Sequence, residues 1–292
     1  MADNTPPTRL GIVSFLNARP LIHGLEGRPD VRCLFDVPAR LPGLLERGEA
    51  DAALVPVYDV LSRGDAWEVV SDACIGCDGE TMTVRVFARV PPDRIRVLHA
   101  DADSHTSVNL ARVLWRELFD RKLDIRPLDT RVANPAELHD AEAVLLIGDK
   151  VVDPARGHFG YEVDLGGAWR SHTGLPFVFA VWAARNSEWR IANSETKHGA
   201  ASSIRNSLFA ILNSARDAGV SRADALAAEF GPRHGWPVEL ARRYLTRCLR
   251  FTLDARMIEC ANLFARLLAR EGALPEGAAL NCLHVQTAGA AR

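Results

Sequence analysis

Leu10-Gly11-Ile12-Val13-Ser14-Phe15 is typical of a buried β-strand, and the residues behind it change to helical spacing around Leu21. The same order recurs where a strand over residues 95–98 precedes a helix whose apolar face runs from residue 108 to 118. A further apolar strand spans residues 143–147. This alternation predicts α/β lobes with largely parallel sheets. Ligands of such sheets bind beyond the carboxyl ends of the strands, so the residues that follow each strand are the first candidates for a site.

The remaining elements fit the same plan. A short helix at residues 41–45, ended by Gly48, precedes a short strand at residues 52–55. Alternation from Met82 to Ala88 predicts a half-buried strand that ends at Pro91-Pro92. From about Ser202 the apolar residues recur at helical spacing in four segments, the third over Leu240 to Leu249, which predicts amphipathic helices that cover a core.

The composition is that of an ordinary globular protein. Of 292 residues, 48% are apolar and 25% charged, and 35 basic against 37 acidic residues give a net charge of −2. At roughly 150 residues per domain, this length predicts about two lobes. We expect no nucleic-acid partner, because the basic residues form no stripe. We also expect a cytoplasmic protein without membrane contact. The first seven residues carry no secretory signal, and the longest apolar run, 177–184, is far shorter than the roughly 20 residues that span a bilayer.

Six cysteines are scattered along the chain, and in a large cytosolic protein they are expected to be reduced and packed. Only Cys74 and Cys77 have the spacing of a metal or redox motif. No second pair and no nearby pair of histidines accompanies them, so a zinc site lacks ligands. We therefore predict no metal site.

Three segments after predicted strands carry polar side chains suited to a ligand. Asn17 follows the first strand, although asparagine is also a common helix N-cap. Ser104, Thr106 and Ser107 stand at the start of a helix, where free N–H groups and the helix dipole favour anions, although one hydroxyl serves equally well as a cap. Asp149 follows the strand at residues 143–147 and can cap the next turn instead. From these residues alone, the chain is a two-lobed binder of a small anion.

Six collinear segments connect these candidates. They are RLGIVSFLNARPL (9–21), GEADAALVPV (48–57), residues 79–91 with Thr83-Val84, SHTSVNL (104–110), LLIGD (145–149) and DLGGAWRSHTGLPFVFAVWAA (164–184). Together they resemble the menaquinone biosynthesis proteins of the futalosine pathway, and within that family the chorismate dehydratases. The resemblance runs from about Arg9 to Leu274.

The resemblance implies the two-lobed α/β fold of the type 2 periplasmic binding proteins, with two crossing hinge strands and a helical C-terminal region. The strand before Pro91 and the strand over residues 177–184 would be the crossings. The implied division is a first lobe over 1–91, a second over 92–177, and a return strand with C-terminal helices over 178–292. The implied reaction is loss of water from chorismate to give 3-[(1-carboxyvinyl)oxy]benzoate without metal or organic cofactor.

The resemblance also assigns residues. It places Asn17 and the Thr83 hydroxyl nearest the chemistry, with chorismate bound by a further set: Pro56, Val57, Ser104, Thr106, Ser107, Gly148 and Asp149. Relatives commonly carry Ser at the positions of Thr83 and Val57, so the first departure keeps a hydroxyl and the second removes one. A sister enzyme of the pathway has a catalytic histidine where this chain has Gly148.

Two other function classes remain open. The chain is alternatively a non-catalytic cytoplasmic binder of small anions with the same fold, since fold does not fix function. A scaffold that acts through its C-terminal helices rests on amphipathicity alone. The sequence leaves the oligomeric state and the catalytic base open. One hypothesis for the base is the substrate's own enolpyruvyl carboxylate, because the matched cleft residues include no His, Lys or carboxylate other than Asp149.

Overall fold

The computed structural model describes residues 6–131, 140–153, 159–186, 198–280 and 282, and its strands form two sheets. The first sheet has the order β11-β4-β10-β3-β1-β2 and the second the order β7-β6-β8-β5-β9. The strands are β1 (Thr8–Val13), β2 (Val31–Asp36), β3 (Ala52–Pro56), β4 (Trp67–Cys77), β5 (Val84–Ala88), β6 (Val97–Asp101), β7 (Asp124–Leu128), β8 (Ala143–Ile147), β9 (Tyr161–Asp164), β10 (Phe177–Arg185) and β11 (Leu249–Thr252).

Helices cover both sheets. The predicted helical C-terminal region follows β10. It contains one strand that we did not predict, β11. None of the helices in the described ranges is long and apolar enough to cross a membrane. The helices are α1 (Leu41–Glu46), α2 (Val57–Arg63), α3 (His105–Phe119), α4 (Leu165–Thr173), α5 (His198–Ser221), α6 (Ala223–Phe230), α7 (Val238–Arg243) and α8 (Ala255–Arg270).

Both sheets are mixed, so the prediction of largely parallel sheets is wrong. The parallel pairs are β1–β2, β1–β3, β6–β7 and β6–β8, whereas β10 and β5 pair antiparallel with both of their neighbours. The physical reason is that β5 and β10 follow the two passages between the sheets and enter each sheet against its parallel strands. The predicted two-lobed α/β fold with a helical C-terminal region is confirmed.

The chain passes from the first sheet to the second between β4 and β5, and it returns between β9 and β10. We use "first lobe" for the first sheet with the C-terminal helices packed on it, and "second lobe" for the second sheet with α3. The division at residues 91 and 177 stays a prediction. β5, which that division places before residue 91, hydrogen-bonds within the second sheet.

Local sequence explains most of the elements. β8 has the predicted bounds because five apolar residues are closed by a glycine with positive φ, Gly148. β5 begins two residues later than predicted, at Val84, and is buried on both faces rather than half-buried. The burial arises because β5 is internal to its sheet and Phe87 packs in a small separate core with Val144 and Leu146.

The cysteines are unpaired, and all except Cys33 are buried, as expected for packed thiols. Burial raises the pKa of the Cys260 and Cys282 thiols to about 12. In the ranges given above, no three His, Cys, Asp or Glu side chains come together in a way that could hold a metal ion. The small-residue tail at 287–292 lies outside the described residues.

Candidate functional site

A cavity lies between the two lobes, at the strand ends that the sequence indicated. The space among its lining atoms, including the opening to solvent, is about 510 Å³. Its lining combines apolar side chains with hydroxyls and one amide. The lining residues are Val13, Phe15, Asn17, Pro38, Pro56, Ile75, Thr81, Thr83, Val84, Ser104, Thr106, Ser107, Ile147, Gly148, Phe179, Ala180, Tyr244 and Leu249.

Asn17 lies just past β1, in a short 3-10 helix over Leu16–Ile22. The residue at the N-cap position is Phe15, and no side chain caps this helix, so the capping interpretation of Asn17 is wrong. Instead, its Oδ1 atom is buried in the cavity wall without a hydrogen-bond partner. A buried, unsatisfied amide oxygen costs free energy unless a ligand or water supplies a donor. Asn17 is therefore ready to bind a ligand.

Thr83 lies in the passage from β4 to β5 and is 2% exposed. Its carbonyl oxygen accepts a hydrogen bond from the Gly148 N–H at 2.9 Å. Its Oγ1 lies 2.7 Å from the hydroxyl of Tyr244, a residue of the C-terminal region. Complete burial raises the pKa of Tyr244 well above its usual value, so the phenol is protonated at neutral pH.

The start of α3 presents two hydroxyls to the cavity. Ser104 is the N-cap, and its Oγ accepts the Ser107 N–H at 3.1 Å and lies 2.8 Å from the Ser107 Oγ. The first turn of a helix has four N–H groups without intrahelical partners, of which this cap satisfies one. Capping and anion binding are thus compatible at this helix start.

Thr106 is committed to contacts between the lobes. Its hydroxyl donates to the Phe179 carbonyl of β10 and accepts from the Tyr58 N–H of α2, both at 3.2 Å. Pro56 lines the cavity, whereas Val57 is fully buried and is not part of the lining. The position at which the resemblance implies a serine hydroxyl therefore lies outside the cavity lining.

Gly148 has a structural reason to lack a side chain. Its φ of +60° is a conformation that other residues rarely adopt. A Cβ at this position would lie 2.6 Å from Cδ2 of the Phe15 ring, which also lines the cavity. A histidine or any other side chain at position 148 would have to displace Phe15.

Asp149 belongs to the second lobe but is bound by donors of the first. Its carboxylate accepts from His234 Nδ1 at 2.8 Å, from Trp236 Nε1 at 2.9 Å and from the Leu16 N–H at 3.3–3.4 Å. Asp149 does not line the cavity, and these bonds are not those of a cap on its own turn. We call this group of four residues the Asp149 clasp. It joins the lobes beside the cavity.

The lining in the described part of the chain contains no Lys, Arg, His, Asp or Glu. Charged side chains near it are paired with each other instead. Lys150 contacts Asp101 and Asp103 at 2.7 and 2.8 Å. His105 Nδ1 lies 2.9 Å from the buried Asp59 carboxylate, and this hydrogen bond raises the pKa of His105. Any ligand of the cavity therefore meets neutral donors and acceptors.

The structure thus brings seven of the nine candidates from the sequence to one cavity and leaves out Val57 and Asp149. Sequence reasoning missed Tyr244, whose hydroxyl reaches the cavity. In the sequence, Tyr244 is one apolar position of a predicted helix, and nothing in the spacing distinguishes it from a core residue. It also missed Phe15 and Phe179 as the aromatic walls.

Comparisons with known proteins identify the family of this chain. The sequence model of the family described as menaquinone biosynthesis matches residues 8–270. A chorismate dehydratase of Thermus thermophilus is 34% identical over 198 residues, which cover 61% of this chain and 70% of that protein.

Solved structures of low sequence identity share the fold. Protein AF1704 of Archaeoglobus fulgidus has a TM-score of 0.71 at 12% identity, with 92% of this chain and 99% of that chain covered. The Candida albicans CA3427 gene product, described as having the generic periplasmic binding protein fold, has a TM-score of 0.64 at 12% identity, with 91% of each chain covered. The aliphatic sulphonate binding protein SsuA of Escherichia coli gives 0.59 at 14% identity, with 94% and 95% covered.

These structures show the fold alone, whereas the sequence model spans most of the chain and all nine candidate residues. The predicted family and the periplasmic-binding-protein-like fold are both confirmed. The chain belongs to the menaquinone biosynthesis family.

Proposed function

We propose that this protein is a chorismate dehydratase that eliminates water from chorismate to give 3-[(1-carboxyvinyl)oxy]benzoate, in the cytoplasm and without a cofactor. The observation that carries the proposal is the unpartnered Oδ1 of Asn17 in a cavity of neutral hydrogen-bonding groups between the lobes. The Thermus thermophilus relative supports the choice of substrate.

The cavity suits the two carboxylates of chorismate. Ser104 and Ser107 present hydroxyls at the N-terminus of α3, a 15-residue helix whose dipole favours negative charge there. Neutral donors bind a carboxylate without holding it as tightly as an ion pair would, so a carboxylate that must also accept a proton keeps its basicity. We assign the anion-binding role to this helix start.

Elimination requires a base for the hydrogen on the ring carbon that bears the ether. A general base must lie within hydrogen-bond reach of that proton, and no ionisable Lys, His or acid lines the cavity in the ranges described. We propose that the enolpyruvyl carboxylate of the substrate takes the proton. The electron pair of the C–H bond forms the new ring double bond. The bond from the neighbouring carbon to its hydroxyl breaks, and the hydroxyl leaves as water with the proton that the enolpyruvyl carboxylate took up.

Aromatisation supplies most of the driving force, so the protein mainly holds the ring and stabilises developing charge. In the proposal the amide N–H group of Asn17 donates to the enolpyruvyl carboxylate and orients it, and the unpartnered Oδ1 accepts from the substrate hydroxyl. The Thr83 hydroxyl binds the ring carboxylate or the leaving hydroxyl. Asp149 has a different role from the one the resemblance assigned. Because its carboxylate is bound by His234, Trp236 and the Leu16 N–H, we assign it to joining the lobes and not to the substrate.

The test is to incubate the purified protein with chorismate in excess chelator and to follow the products by mass spectrometry. We expect a product lighter than chorismate by one water. Asn17→Ala is the comparison that we expect to be slowed by about 10²-fold. Asn186→Ala is the matched control, because it removes an amide outside the cavity that donates to the Asp65 carbonyl. Unchanged chorismate with measurable binding would favour the non-catalytic binder. Activity that is lost with chelator and restored by a divalent ion would contradict cofactor independence.

A further inference from the structure

Tyr244 occupies an unusual position in the C-terminal region. It begins a π-helical turn, Tyr244–Cys248, between α7 and β11. Such turns are rare and often redirect side chains at functional sites. Here the turn is the element from which the phenol of the first lobe reaches Thr83, in the passage to the second lobe, at 2.7 Å. The amide of Asn17 also faces the Tyr244 hydroxyl.

A second contact fixes the ring of Tyr244. The Trp236 indole stacks on it with ring centroids 4.9 Å apart and an angle of 16° between the planes. Trp236 and Tyr244 are 2% and 1% exposed. The same indole donates its N–H to Asp149 at 2.9 Å. Tyr244 is therefore linked to the Asp149 clasp through a buried aromatic stack.

These contacts form a closed circuit. Asp149 follows Gly148 in the chain, and the Gly148 N–H donates to the Thr83 carbonyl at 2.9 Å. The Trp236–Asp149 hydrogen bond joins the two lobes, and the Tyr244–Thr83 hydrogen bond joins the first lobe to the passage between the sheets. The Trp236–Asp149 bond must break when the lobes separate, and the ring that stacks on Tyr244 then loses this hydrogen bond. The position of the Tyr244 hydroxyl on Thr83 thus depends on closure.

We propose that Tyr244 is a positioning residue for the Thr83 hydroxyl, and that Trp236 and Asp149 place it there only when the lobes are closed. The proposal deepens the proposed function and rests on it. A phenol that donates to the Thr83 oxygen leaves the proton of the Thr83 hydroxyl free to point at the substrate. Hydrogen bonds arranged in such a chain polarise one another, so the Thr83 proton becomes a better donor.

The first test is Tyr244→Phe, which removes one oxygen and keeps the stacked ring. We expect kcat to fall about tenfold, the effect of one buried hydrogen bond, while KM for chorismate stays within about twofold. Tyr161→Phe deletes the same atom from an exposed side chain and is the matched control, with unchanged kcat. A rise in KM with unchanged kcat would overturn the positioning role.

A double-mutant cycle separates positioning from general stabilisation. In a Thr83→Ala background, Tyr244→Phe should change kcat by less than about twofold, because the group it positions is gone. In a Thr83→Ser background the full effect should return. The same loss in all three backgrounds would show that Tyr244 acts on the fold and would overturn the proposal.

Trp236→Phe tests the link to closure and gives an independent variant if Tyr244→Phe does not fold. It keeps a stacking ring but deletes the N–H to Asp149. We expect kcat to fall about threefold and the radius of gyration of the unliganded protein to increase. Unchanged kcat and size would overturn the link. If the wild type binds chorismate but does not convert it, the dehydratase activity is refuted and the positioning role of Tyr244 is not. The double-mutant cycle would then be measured through the Kd for chorismate, by calorimetry.

Discussion

The cavity lining and the Asp149 clasp lie side by side, yet the polar groups of the lining are less completely hydrogen-bonded than the carboxylate of the clasp. In the lining, Asn17 Oδ1 is buried without a partner, and the hydroxyls of Ser104 and Ser107 line the open space. In the clasp, one carboxylate is bound by three donors, and the nearby Lys150 is paired with two aspartates.

The difference separates two tasks. Charged groups that are already paired gain nothing from a ligand, but they resist separation of the elements they join. Neutral groups with unused hydrogen-bonding capacity gain most when a ligand arrives. We infer that the bound carboxylates of Asp149 and Asp59 hold the lobes of this protein together, while neutral polar groups of the lining act on the substrate. The variants below are ordered from the largest expected effect to the smallest.

Thr83 tests the neutral lining most strongly. Thr83→Ala should lower kcat for chorismate by about 10²-fold if its hydroxyl makes a hydrogen bond to the transition state. Thr83→Ser restores the hydroxyl and is the matched control, which we expect to stay active. Steady-state kinetics on the two variants measure the difference. Equal losses in Ala and Ser would mean that the methyl group, and not the hydroxyl, matters at this position.

Gly148 tests whether the lining tolerates a shift of its aromatic wall. Gly148→Ala places a Cβ against Phe15, and we expect kcat/KM to fall about tenfold as the ring moves. Gly24→Ala is the matched control, because Gly24 also has positive φ but nothing lies within 4 Å of its Cβ. Both variants should lose roughly 1 kcal/mol of stability from backbone strain. Full activity of Gly148→Ala would show that Phe15 is not a fixed wall.

Asp149→Asn tests the clasp. The amide replaces one acceptor oxygen with a donor group, so at least one of the three donors loses its partner. We expect a larger radius of gyration for the unliganded variant by X-ray scattering, and compaction to the wild-type value when product is bound. Asp129→Asn, at an exposed ion pair with Arg131, is the matched control. If wild type and Asp149→Asn had the same radius of gyration, the Asp149 clasp would have no role in closing the lobes.

His105 tests the contribution of charge between α2 and α3 through pH. Its hydrogen bond to Asp59 raises the pKa of His105 above the ordinary value near 6.5, so protonation stabilises the folded state. This contribution is fully present below that value and is lost as pH rises through the raised pKa. The difference in Tm between wild type and His105→Gln should therefore shrink from pH 6 to pH 9. A difference that grows with pH would contradict the assignment.

Much of the fold follows from sequence pattern, and the exceptions have physical reasons. β8 is recognisable because a fully apolar run ends at glycine. β11 was missed at the end of a predicted helix, Leu240 to Leu249, because it has four residues and is a strand only through its pairing with Cys77, Gly76 and Ala73 of β4. The antiparallel pairing of β5 and β10 likewise depends on how the chain connects the lobes, which local sequence does not show.

The site shows the same limit. Residues that follow strands, such as Asn17 and Ser104, could be predicted because strand ends meet in space. Local sequence could not decide whether Asn17 caps a helix or faces a ligand. The answer depends on whether its Oδ1 atom has a hydrogen-bond partner in the folded protein. Tyr244 reaches the cavity through a π-helical turn. Asp149 joins the lobes through donors that lie 85 and 87 residues away in the sequence, so neither role has a local signature.

The most direct test of whether the substrate supplies the base is a single-turnover measurement of chorismate consumption by Asn17→Ala and Asp149→Asn. We predict that Asn17→Ala is slowed by about 10²-fold. Asp149→Asn should keep measurable conversion to a product lighter by one water. The opposite result, with Asp149→Asn folded, able to bind product and inactive while Asn17→Ala stays near wild type, would make a protein carboxylate the base and contradict a mechanism assisted by the substrate.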